Sequence, residues 1–299
     1  MENYIIEEFD GGIKVKGLKN FDLTHIFECG QAFRWEKTVD NSYIIVAYGR
    51  VIELIKDASD DLIIYNTNKE DFLNIWHNYF DLNRDYDSLK LELAKTAAYK
   101  LNTSLKEAIE FGYGIRILRQ EEFEMIISFI ISANNQIPRI KNSIRLLSET
   151  YGEFIQEYKG QRYYSFPTPE KLASADPLEI KEICRVGFRN ERIVLTSRLY
   201  LENPENFSNQ LDDQTLGDNL LALPGVGPKV RDCILLFGYA RGNTFPVDVW
   251  VKRLMETLYI KKTIPNKQIL IYSEDLFGEH KGIAQQYLFY YARENKIGK

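Results

Sequence analysis

The sequence predicts an α+β protein, with a small antiparallel sheet in the N-terminal third and a mainly helical remainder. Three observations lead there. Residues 12–66 hold short β-branched and aromatic runs separated by turn compositions; from Lys69 onward apolar residues recur at helical spacing; and Gly, Pro and Asn cut that helical stretch into short pieces. The strand candidates are Gly12 to Val15, Ala32 to Trp35, Tyr43 to Tyr48, Val51 to Ile55 and Leu62 to Tyr65. Turns fall at Asp40-Asn41-Ser42, Tyr48-Gly49-Arg50 and Asp57 to Asp61. Helical periodicity is plain in Phe72, Ile75, Trp76, Tyr79 and in Phe123, Ile126, Ile127, Ile130. The change of texture divides the chain into a sheet domain with flanking helices, residues 1–110, and a helical domain, residues 111–299.

At 299 residues, 44% hydrophobic and 27% charged, the chain has the composition of a folded globular protein with a sizeable core. The longest uncharged stretch, Met125 to Pro138, is too short for the ~20 residues a membrane-spanning helix needs. Met1-Glu2-Asn3-Tyr4 lacks the basic start of a secretory signal, so an intracellular protein is expected. Cys29, Cys184 and Cys233 have no paired spacing of the zinc or iron–sulfur kind, and neither a disulfide nor a cysteine metal site is expected. A net charge of −5 weighs against a protein that grips polyanions by bulk charge. Yet the acid concentrates in the N-terminal third. Residues 225–253 carry Lys229, Arg231, Arg241, Lys252 and Arg253 against only Asp232 and Asp248, a local basic patch.

The most informative segment is Leu223-Pro224-Gly225-Val226-Gly227-Pro228-Lys229, set between two apolar-periodic stretches over about 214–240. Gly225 and Gly227 permit positive φ and let a ligand approach the backbone of Gly225, Val226 and Gly227, where the next helix presents its unpaired N–H groups. That is an anion cradle, in which Lys229 could simply touch a phosphate. The positive end of the helix dipole and partial burial both oppose the charged form of a first-turn lysine, so a neutral, nucleophilic amine is expected. Nineteen residues on, Val247-Asp248 precedes a helix; an Asp there is an N-cap, and a carboxylate near Lys229 would also stabilise positive charge at a sugar carbon.

Glycine-rich hairpin, Lys229 and Val247-Asp248 at this spacing resemble the helix-hairpin-helix superfamily of DNA base-excision glycosylases, whose lysine-bearing members both release the base and nick the strand. Further motifs resemble the 8-oxoguanine DNA glycosylase branch. Cys29-Gly30-Gln31-Ala32-Phe33-Arg34-Trp35 is similar to its Gly-Gln-x-Phe-Arg-Trp motif, and implies that the Gly30 carbonyl accepts the N7 hydrogen that 8-oxoguanine has and guanine lacks. Lys229 to Cys233 matches Lys-x-x-x-Cys, which implies Cys233 as a pocket wall; plain core packing is the ordinary alternative for a Cys on an apolar face. Ala284-Gln285-Gln286-Tyr287-Leu288-Phe289 resembles the segment in which Gln285 would bond the base edge and Phe289 stack on its face. Asn134, Arg139 and Arg189 are implied readers of the cytosine left behind, and Phe188 the wedge that fills the gap.

The resemblance implies a sheet domain packed beside a helical helix-hairpin-helix core, duplex DNA with oxidised guanine as partner, a monomer, and no cofactor. It leaves room for a structural cation at the hairpin carbonyls. Trp250 and Ala292 stand where the eukaryotic pattern has a histidine and an aspartate, and Phe188 replaces a tyrosine, which predicts relaxed opposite-base selection. A glycosylase for oxidised pyrimidines, or a hairpin module that only grips DNA, is the alternative.

Overall fold

The computed structural model describes residues 4–297. Six strands form one antiparallel sheet: β1 Ile5–Phe9, β2 Gly12–Lys16, β3 Trp35–Lys37, β4 Tyr43–Ala47, β5 Arg50–Lys56 and β6 Leu62–Tyr65, in the order β1-β2-β6-β5-β4-β3. The β4–β5 hairpin closes on the pair Ala47 and Arg50 across Tyr48 and Gly49, both at positive φ (50° and 66°), the two-residue turn that matches strand twist. Ile13, Val15, Ile45, Ile52, Leu54, Leu62 and Ile64 face one way and bury against Phe27, Phe72, Trp76 and Phe80, forming the smaller of two cores.

The larger core belongs to the helices. At its centre lies α1, Glu122–Ser132, with every residue from Phe123 to Ile131 buried. Around it are α2 Ile137–Tyr151, α3 Asn190–Glu202, α4 Asp213–Leu221, α5 Pro228–Phe237, α6 Val249–Met255 and α7 Lys281–Glu294. Tyr86, Leu89, Leu93, Ala98, Leu105 and Ala108 also bury here. The helices of residues 86–111 thus share the helical core, although the change of sequence texture groups them with the sheet.

Two elements depart from the sequence expectation. β1 lies outside the predicted strands, and a second hairpin, β7 Phe154–Tyr158 with β8 Gln161–Tyr164, interrupts the region read as helical. Its turn, Lys159-Gly160, again has two positive φ values (50° and 77°), and Tyr158-Lys159-Gly160-Gln161 between aromatic runs was the signal for it. This hairpin fastens the two bodies together. Tyr158 and Lys159 donate to the buried carboxylate of Glu53 on β5, at 2.7 and 2.6 Å, and Tyr163 donates to Glu36.

The expected strand over Ala32 to Trp35 is displaced: pairing begins only at Trp35 and runs to Lys37. The chain before it is pinned by side chains in place of a ladder: Gln31, fully buried, donates to the carbonyls of Ile26 and Arg116 and accepts from the Leu118 N–H. Arg34 meets Glu124 of α1 at 3.2 Å. The motif Gly-Gln-x-Phe-Arg-Trp is therefore a clasp that fixes Gly30 against the helical body.

Candidate active site

The hairpin forms as expected. Asp212 caps α4, and α5 begins at Pro228 after an extended Gly227 (φ −94°, ψ 177°), with Arg231 N–H closing on the Gly227 carbonyl at 2.9 Å. Gly225 has φ +88°, a conformation that favours glycine, and a Cβ there would lie 2.7 Å from Cδ of Arg192, whose side chain would have to shift. Gly227 differs: a Cβ there would meet nothing within 4 Å. Space within the fold does not require that glycine, and its bare backbone leaves the α5 N-terminus open to an approaching anion.

Lys229 lies half-buried in the first turn of α5, its Nζ 5.7 Å from the Phe129 ring centroid. Phe129 stacks on Phe237 and meets Phe33 edge-on, which ties the lysine to the Gly30 segment. Cys233, one turn on, is buried beside the amine. Asp248 caps α6: its Oδ1 accepts from Val251 N–H at 2.7 Å, and Oδ2 remains for a second duty. Lys229, Cys233 and Asp248 form one electrostatic group.

Opposing influences act on the proton of that lysine. Charge on Cys233 and then Asp248 holds the Lys229 proton more firmly than in a free lysine, against burial, which pushes the other way. Burial in turn pushes the Cys233 thiol up. A neutral Cys233 thiol loses that hold, which leaves the amine between Asp248, which keeps its proton, and burial, which loosens it; the amine must be free of the proton to attack. Excision under single-turnover conditions is expected to rise with pH as the free-amine fraction grows.

Of the residues expected to form the base pocket, Gly30 and Phe289 meet at the junction of the clasp and α7. Gly30 has φ +89°, and a Cβ there would lie 3.7 Å from the Phe289 ring, 3.8 Å from Arg293 Nη1 and 3.9 Å from Ile137 Cδ1. The carbonyls of Glu28, Cys29, Gln31 and Ala32 accept from Arg293, Gln286, Gln120 and Trp35 respectively. Among the described residues no donor reaches the Gly30 carbonyl, which leaves it open for a ligand N–H. Gln285 is buried on α7 with Oε1 unpartnered, and a buried acceptor without a donor is costly unless something else supplies one. Phe289 sits one turn further, half-buried.

The opposite-base group is partly as expected. Asn134, at φ 51°, and Arg139 are exposed at the start of α2, and Phe188 projects with 54% exposure. Arg189 departs from expectation. It is buried, its guanidinium donates to the carbonyls of Ala133, Asn134 and Val186, and it lies 4.3 Å from the Phe188 ring. Four of its five N–H groups meet backbone carbonyls, so it braces the Asn134 turn beside the wedge. Sequence reasoning also missed Arg192, which spans the Phe188 ring (5.1 Å) and the space left by Gly225, and so links wedge to hairpin. Its only signal was a basic residue four positions after the wedge. Trp250 is half-buried and Ala292 buried, so neither position carries the charged or titratable side chain of the eukaryotic pattern. A cavity of about 320 Å³ lies elsewhere, between β3–β4, α2 and the β7–β8 hairpin, and contains none of these residues; chemistry, not volume, marks the site.

A six-stranded sheet clasped to a helical body, with a lysine at the second helix of a hairpin and a capping aspartate beside it, defines a helix-hairpin-helix base-excision protein. Residues 127–277 match the HhH-GPD superfamily base excision DNA repair protein model, and residues 14–126 match the 8-oxoguanine DNA glycosylase N-terminal domain model. The chain belongs to the 8-oxoguanine DNA glycosylase family of that superfamily. It is 30% identical to an N-glycosylase/DNA lyase of Saccharomyces cerevisiae over 79% of this chain and 68% of that one. A probable N-glycosylase/DNA lyase of Methanothermobacter thermautotrophicus is 28% identical over 70% of this chain and 73% of its own. The 8-oxoguanine glycosylase/lyase of Clostridium acetobutylicum, solved with double-stranded DNA containing cytosine opposite 8-oxoguanine, superposes with a TM-score of 0.92 at 43% identity, covering 99% of this chain and all of that one.

Proposed function

We propose that the protein is a bifunctional DNA repair enzyme that removes 8-oxoguanine from duplex DNA and then cleaves the strand at the resulting abasic site. The open carbonyl at Gly30 carries the base assignment. Guanine presents a lone pair at N7 and would repel it, whereas 8-oxoguanine presents an N–H and bonds it. Gln285 supplies the unpaired acceptor for the pairing edge, and Phe289 the plane that replaces stacking lost when the base leaves the helix. Amides of Gly225 to Gly227 hold the backbone phosphate, Arg139 and Asn134 face the orphaned base, and Phe188 fills the vacated stack.

The chemistry then follows from Lys229. The free amine bonds to C1′ as the glycosidic bond breaks, N9 of the departing base takes that bond's electron pair, and the base then takes a proton from the newly formed C1′-bound ammonium. Asp248 stabilises the positive charge that develops on the sugar. Opening of the ring yields an imine between C1′ and Nζ. Once protonated, that imine draws electrons from C2′, which loses a proton as the 3′ phosphate leaves. The reaction needs no cofactor, and one chain holds every group it uses, in keeping with a monomer acting on DNA within the cell. No helix among the described residues is long and apolar enough to cross a membrane.

Excision from duplexes that pair 8-oxoguanine with each of the four bases, with a thymine-glycol duplex as comparison, tests the reading. Release of 8-oxoguanine and not of thymine glycol is expected, with weak preference among opposite bases because Phe188 lacks a hydroxyl. Preferred release of thymine glycol would transfer the assignment to oxidised pyrimidines.

A further inference from the structure

We infer that Arg293 and Gln286 are positioning residues that aim the Gly30 carbonyl at the damaged base, so that selection of the oxidised purine depends on two side chains that touch no part of it. The inference rests on the reading above. Four of the five carbonyls from Glu28 to Ala32 are tied down, and the two immediately before Gly30 are tied to α7: Cys29 O by Gln286 Nε2 at 2.8 Å and Glu28 O by Arg293 Nη2. Gln286 and Arg293 are seven residues apart and share a helix stripe. The same helix carries Gln285 and Phe289. One rigid element therefore sets the ring, the edge acceptor and the position of the discriminating carbonyl.

Arg293 does more than donate. Its guanidinium carbon lies 5.7 Å from the Phe289 centroid and 5.5 Å from that of Tyr290, and Nη1 comes within 3.8 Å of where a Gly30 Cβ would sit. The planar cation therefore bridges the stacking ring and the glycine loop. Without the bridge, Gly30 at φ +89° has no side chain of its own to hold its orientation. A carbonyl displaced by about 1 Å no longer meets N7–H squarely, and errors of that size reduce rates by about 10²-fold.

An abasic site has no base for Gly30 to bond, which gives a clean separation. Single-turnover excision of 8-oxoguanine opposite cytosine is compared with cleavage of a preformed abasic site for wild type, Arg293→Ala, Arg293→Lys and Gln286→Ala. Arg293→Ala should excise about 10- to 100-fold more slowly while cleaving abasic sites within about twofold of wild type. Gln286→Ala should fall in the same direction, and Arg293→Lys should recover part of the loss, because an ammonium still donates to the Glu28 carbonyl. Equal losses on both substrates would reduce the two residues to structural supports, and undiminished excision would remove them from recognition altogether. If Arg293→Ala does not fold, Arg293→Met, which keeps packing on Phe289 but has no donor, carries the same comparison. Wild type that cleaves abasic sites without excising 8-oxoguanine would fault the base assignment and not the role of Arg293.

Discussion

Lys229→Gln is expected to reduce both base excision and strand cleavage by at least about 10³-fold, equivalent to about 4 kcal/mol of transition-state stabilisation, and to abolish borohydride trapping. Glutamine keeps most of the length and fills the space beside Phe129 and Cys233, so the helix and its neighbours persist. The proposed DNA grip does not use the Lys229 side chain: it relies on the backbone amides at Gly225 to Gly227 and on a wedge that packs against Arg189 and Arg192. Binding to an 8-oxoguanine duplex, followed by anisotropy, should remain near wild type while product formation ceases. Residual excision without trapping would mean that water attacks C1′ and that Lys229 only positions the sugar.

Asp248→Asn isolates the second group. Asparagine caps helices about as well as aspartate, so the bond to Val251 N–H survives and stability should change by no more than about 1 kcal/mol, the share due to lost charge at a helix N-terminus. Excision should nevertheless fall about 10²- to 10³-fold, since a neutral amide cannot stabilise a cationic sugar in a site shielded from water. Loss of that charge also loosens the lysine proton, because Asp248 helps to hold it. The rising limb of the pH–rate profile should therefore shift to lower pH even as the maximum rate drops. Asp248→Ala, which removes cap and charge together, should add a stability loss of about 1 kcal/mol seen in thermal melts. Matching rates for Asp248→Asn and wild type would leave the carboxylate with the cap alone.

Much of this site was legible in the sequence because its residues lie within short local patterns. Gly225 to Lys229 is a turn followed by a helix start, Asp248 is a cap, and Gln285 with Phe289 is an i, i+4 pair; each depends on neighbours in the chain. What escaped depends on partners far along it. Arg189 looked like a base reader, but its carbonyl partners at Ala133 and Asn134 come from the segment before α2. Gln286 and Arg293 reach back to Cys29 and Glu28 near the other end of the chain, contacts no local pattern encodes. The influences on Lys229 divide in the same way: dipole and burial can be read from position, whereas Cys233 and Asp248 act through space. The fold shows the same division. Hairpins with two-residue turns are local signals, while the assignment of residues 86–111 to the helical core is settled by packing.

The central claim is a covalent bond between one amine and one carbon. Incubation of the wild-type protein with an 8-oxoguanine:cytosine duplex in the presence of borohydride, followed by proteolysis and mass spectrometry of the adduct, tests it directly. A single cross-linked peptide with the deoxyribose remnant on Lys229 is the predicted result; an adduct on another lysine, or free 8-oxoguanine released with no adduct at all, would contradict it.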